Sequence, residues 1–93
     1  MARDIYAYRE VAVQLGPRGI HPMPGQAFAP SLAVHCSRAL LDYPAGTCFL
    51  INAKLTDRLG GEPYLYAWHG DPVQVLDAAA AQKFLGAFRR GRI

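Results

Sequence analysis

Residues 47–68 read TCFLINAKL, then TDRLGGE, then PYLYAW: two apolar-rich runs on either side of a turn-rich heptapeptide. This is the pattern of a long β-hairpin, with two glycines that permit positive φ angles in the connection. In the first run Phe49, Ile51, Ala53 and Leu55 share one face, and Cys48, Leu50, Asn52 and Lys54 share the other. In the second, Tyr64, Tyr66 and Trp68 alternate with Leu65 and Ala67. Side chains of a strand alternate between its faces, so both faces of this hairpin are at least partly apolar. A flat sheet with one wet face does not suit that pattern. A curled sheet, one face inside and the other partly covered, does.

Upstream, residues 5–15 place Ile5, Ala7, Val11, Val13 and Leu15 on one side and Tyr6, Tyr8, Glu10, Ala12 and Gln14 on the other. Tyrosine and valine favour a strand here over the short helix that Ile5, Tyr8, Ala12 and Leu15 would also allow. Gly16-Pro17 stops either one. The segment 16–31, GPRGIHPMPGQAFAPS, holds four prolines and three glycines. Missing amide donors and restricted φ angles exclude a continuous helix or a central strand, so a long irregular connection is expected. Ile20, Met23 and Phe28 are expected to anchor it to the core. Its Pro-x-Pro, Pro22 and Pro24, has the composition of an extended recognition segment.

Residues 32–36 then read as a short strand, and 37–42, SRALLD, as one or two helical turns capped by Ser37 and ended by Pro44. Downstream of the hairpin, His69-Gly70-Asp71-Pro72 is a turn, and residues 73–76 suit one further short strand. From 77 to 90 the positions Ala81, Phe84, Leu85 and Phe88 follow the i, i+3, i+4, i+7 stripe of an amphipathic helix. Asp77 is its N-cap and Gly91 its C-cap, and Arg89 and Arg90 stand where cations complement the helix dipole. The stripe is expected to lie as a lid on the Phe49 face.

The whole is a single α+β domain of 93 residues, a small, mostly antiparallel β roll of four or five strands with a short helix near 37–42 and a C-terminal helix over 77–90. In layout the hairpin and the return strand resemble SH3-like small barrels over about half the chain. That resemblance carries no functional residues across.

At 52% hydrophobic residues the chain is too apolar to stay disordered. Residues 1–76 carry six basic and six acidic side chains, whereas 77–93 carry Lys83, Arg89, Arg90 and Arg92 against Asp77. The excess charge therefore sits at the C-terminal end, over 77–93, which closes in a basic tail at 91–93. A net charge of +3 is low for a dedicated DNA-binder. No apolar run approaches the roughly 20 residues of a membrane span. The opening residues do not read as a signal peptide, so a cytoplasmic protein with Cys36 and Cys48 reduced is expected.

Histidines 21, 35 and 69 and the two cysteines form no ligand pair of recognised metal spacing, and His35 and Cys36 on a strand would point oppositely. No metal, cofactor or catalytic residue is expected. The row Tyr64, Tyr66, Trp68, with Lys54 and Arg58 nearby and Arg89, Arg90 and Arg92 at the basic end, is the candidate binding surface. Flat rings on one face can clasp an extended peptide or stack nucleobases. The expected function is a non-enzymatic binding module for a protein or, second, a nucleic acid. The alternatives are a ligand or catalytic pocket between the 16–31 loop and the hairpin, with His21, His35 or His69 taking part, and a structural homo-oligomer such as a homodimer.

Overall fold

A computed structural model describes residues 8–56, 62–68 and 70–89. Six strands, a 3₁₀ helix and one α-helix follow the order β1 (Arg9–Gly16), β2 (Gly19–Pro22), β3 (Val34–His35), 3₁₀ helix (Arg38–Asp42), β4 (Cys48–Thr56), β5 (Tyr64–Tyr66), β6 (Gln74–Leu76) and α1 (Ala78–Arg89). The sheet runs β2-β1-β4-β5-β3, and β6 joins β4 beside it.

Strand β4 is the axis of this arrangement. Along one edge it pairs antiparallel with β1, from Arg9 opposite Ala53 to Gln14 opposite Cys48. Its other edge is divided. The later half takes β5, with Lys54 opposite Tyr66, and the earlier half takes β6, with Cys48 opposite Leu76. The expected hairpin is therefore present as β4 and β5, its connecting residues 57–61 lying outside the described residues.

The proline-rich segment departs from expectation. Instead of an irregular loop throughout, it folds back at once through a two-residue turn, Pro17-Arg18, into β2, which pairs with β1 from Gly16 opposite Gly19 to Val13 opposite Pro22. Gly19 sits at a φ of 106°, where a side chain would strain the backbone. Proline is tolerated because β2 is an edge strand whose outer side needs no donor. Past Pro22, the Gln26 side chain continues the ladder in place of a strand. Its Oε1 accepts from the Ala12 amide at 2.9 Å, and its Nε2 donates to the Ala12 carbonyl at 2.8 Å.

Alternation then sorts the apolar residues into two layers. Inside the curl, Val11, Val13, Leu15, Ile20, Leu40, Phe49, Ile51, Ala53, Leu65 and Ala67 are buried, with Phe28, Leu32, Val34 and Cys36 packed on them. On the outside, Ala12, Leu76, Ala81 and Leu85 form a second buried cluster with Met23, Cys48, Leu50 and Phe84. Helix α1 thus covers the outer face, not the Phe49 face expected for it. The inner face is closed instead by the 3₁₀ helix and the connection that follows, through Leu40 and through Tyr43, whose ring meets Phe49 edge-on at 5.1 Å. The reason is geometric: β6 sits on β4 beside Cys48 and Leu50, and Leu76, which leads into α1, turns to their side.

Both helices begin as the sequence predicts. Asp77 accepts the Ala80 amide at 2.7 Å, and Ser37 accepts the Ala39 amide at 3.3 Å. The sheet does not close. Edges β2 and β3 approach one another without a ladder between them, so the molecule is a small α+β domain with an open, curled six-stranded sheet rather than an SH3-like barrel. Among the described residues no helix is long and apolar enough to cross a membrane.

Candidate functional site

Helix α1 covers only half of the outer face. Ala12, Cys48, Leu50 and Leu76 lie beneath it. Farther along the same strands, the face continues past Glu10 and Asn52, both exposed, to Tyr8 and Lys54. The β1 and β4 register carries Tyr8 opposite Lys54, whose ammonium stands 5.3 Å from the Tyr8 ring centroid. An ammonium over a ring face is drawn by the ring quadrupole, which holds both side chains in the plane of the patch.

Lys54 in turn lies opposite Tyr66 on β5. Because Leu65 and Ala67 turn into the inner core, Tyr64, Tyr66 and Trp68 turn outward. The parallel pairing of β3 with β5 places His35 beside Tyr66, and the His35 ring stacks on Tyr64 with centroids 4.1 Å apart and planes 24° from parallel. Tyr8 and Trp68 are 45% and 51% exposed, and Tyr64 and Tyr66 are half-buried. The Trp68 indole lies against Gly70, where a Cβ would come within 2.4 Å of the ring. A row of rings therefore crosses the sheet, from Tyr8 just before β1, over Lys54 on β4, to Tyr64 and Tyr66 on β5 and His35 on β3.

Next to this row, a shallow groove of about 210 Å³ runs between Glu10, Leu50 and Asn52 on the sheet and Pro72, Val73 and Gln74 before and within β6. The structure thus gathers Lys54, Tyr64, Tyr66 and Trp68 on one surface, as the sequence predicts. It adds Tyr8 and His35, which sequence reasoning missed. Tyr8 already stood on the outward side of its strand, but only the register of β1 against β4 brings it to Lys54. Arg58, Arg90 and Arg92 lie outside the described residues, and Arg89 is the last residue of α1.

A second concavity, of about 400 Å³, opens where the sheet fails to close. His21 and His35 both line it, together with Arg18, Cys36, Ser37 and Arg38. It lies between β2 and β3, not against the β4–β5 hairpin as the pocket alternative expected, and His69 is outside the described residues. His21 is fixed there by its Nδ1–H, which donates to the Leu32 carbonyl at 2.9 Å. Cys36 packs on the inner core while the adjacent His35 faces out, the opposed orientation expected of strand neighbours. Burial pushes the Cys36 thiol above its ordinary pKa, which suits a neutral packing residue rather than a nucleophile. Among the described residues no three His, Cys, Asp or Glu side chains converge to hold a metal ion. Comparison with protein-family models, with curated proteins and with solved structures gives no match.

Proposed function

We propose that this protein is a non-enzymatic binding module that holds an extended, proline-rich polypeptide segment across the open half of its outer face. The observation that carries the proposal is the unequal covering of that face. Helix α1 buries one half in apolar contacts, while the other half presents Tyr8, Tyr64, Tyr66 and Trp68 around Lys54 and beside a groove.

Half-exposed aromatic rings spaced by strand geometry form ridges between which an extended chain can lie. A polyproline II segment has little conformational entropy left to lose on docking there. Among the described residues the outward positions of β1 and β4 beside the row carry one acid, Glu10 opposite Asn52, and one base, Lys54, so no cationic stripe tracks the row, which supports a polypeptide over a nucleic acid. Both cysteines are free, which fits a reducing, cytoplasmic setting.

Trp68 is the sole tryptophan, so its fluorescence reports the row directly. Titration with a proline-rich decapeptide is expected to shift and saturate the emission. The same change should be weakened in Tyr66→Ala, after a thermal melt confirms that the variant is folded. Saturation by oligo-dT with steep loss in salt would replace the peptide by a nucleic acid. Silence with both ligands would leave the row a purely structural surface and refute the proposal.

A further inference from the structure

The open seam of the sheet has a chemistry of its own, sharing only His35 with the aromatic row. It is a recess of about 400 Å³, within the range of small-ligand sites, and its two banks come from the two sheet edges. Arg18, in the turn before β2, stands on one bank. Arg38, the first residue of the 3₁₀ helix, stands on the other. Among the described residues no carboxylate lines the recess, and neither guanidinium has an ion-pair or side-chain hydrogen-bond partner.

Arg18 and Arg38 both line one concavity that no described carboxylate enters, so an anion seated there would meet two cationic side chains. The other polar groups are compatible with the same guest. The His21 ring is held in place by its bond to Leu32, and Ser37 offers a hydroxyl. The apolar lining includes Ile20, Ala33, Val34 and Leu41, and Leu41, 53% exposed, offers apolar surface on which a ligand's body can rest.

From this pairing of unpaired guanidinium groups with an apolar wall we infer that the cleft between β2 and β3 binds a small organic anion, a phosphate or carboxylate group carried on an apolar body. The anionic group is gripped by Arg18 and Arg38 through charge-assisted hydrogen bonds, and the body rests on Val34 and Leu41.

The test is chemical-shift mapping of the full chain with phenyl phosphate, benzoate, inorganic phosphate and phenol, each at matched ionic strength. Phenyl phosphate or benzoate is expected to give saturable shifts confined to residues 18–21, 33–38 and 41, tighter than inorganic phosphate and tighter than phenol. The stronger of the two aryl anions identifies the headgroup. Arg18→Gln and Arg38→Gln, both at exposed positions that leave the core untouched, should each weaken that binding roughly tenfold, as expected for loss of one charge-assisted contact. Shifts no larger than those from sodium chloride, shifts scattered over the surface, or affinity unchanged in both variants would overturn the inference.

Discussion

Leu85 decides whether α1 belongs on the outer face. Its side chain is 4% exposed and packs in the cluster of Ala12, Leu76 and Ala81. Replacing it with alanine removes buried methyl groups and leaves a cavity, at a cost of about 3 kcal/mol on the scale of Leu→Ala substitutions in packed cores. A domain of this length has roughly 5–14 kcal/mol of stability in all, so the fold survives but the helix is loosened. Because 1.4 kcal/mol is a factor of ten, a form with α1 detached becomes about two orders of magnitude more populated. The two cysteines report which layer has opened. Cys48 belongs to the cluster under α1 and Cys36 to the inner core. Alkylation with iodoacetamide at pH 8, read peptide by peptide in a mass spectrometer, should therefore quicken at Cys48 in Leu85→Ala and stay nearly constant at Cys36. Equal acceleration at both thiols, or acceleration at Cys36 alone, would refute the placement of the helix.

Other substitutions probe the remaining layers. Phe49→Ala empties the centre of the inner core, where Phe49 is fully buried, and should cost about 3–5 kcal/mol and lower the melting temperature by at least about 12 °C; a drop of a few degrees would contradict that packing. Gly70→Ala places a methyl group against the Trp68 indole, so the ring must swing away. The expected result is a shifted Trp68 emission with an almost unchanged thermal midpoint, and unaltered emission would mean that the ring does not lie there. Burial raises the Cys36 pKa, so above the ordinary thiol range the unfolded chain gives up this proton more readily than the folded one. Stability is accordingly held at lower pH and falls as pH rises toward the folded value. Urea midpoints from pH 7 to 10 should decline more steeply in wild type than in Cys36→Ala, and parallel curves would exclude the effect.

What could be read from the chain is local, and what could not depends on pairing across distance. Alternation in 47–68 and the stripe from Ala81 to Leu85 are carried by neighbouring residues, so β4, β5 and α1 were legible, as were the caps Asp77 and Ser37. Strand β2 was hidden because prolines argue against ladders in general, while an edge position suspends that argument for Pro22. The periodicity of α1 establishes that one side is buried but not against what. Only the attachment of β6 to β4 chooses the Leu50 face over the Phe49 face. The same holds for the site: Tyr64, Tyr66 and Trp68 announce a row by spacing alone, whereas Tyr8 and His35 join it through the register of β1 and β3. The seam containing Arg18 and Arg38 arises from two edges that approach without pairing, a relation that no local pattern encodes.

The central claim is that the half of the outer face left open by α1 is a peptide-binding surface. Amide chemical-shift mapping with the proline-rich decapeptide tests it most directly. The account predicts perturbations gathered on Tyr8, Lys54, Tyr64, Tyr66 and Trp68 and along the groove at Asn52 and Val73. Perturbations centred on α1 or on the β2–β3 seam, with the aromatic row silent, would contradict it.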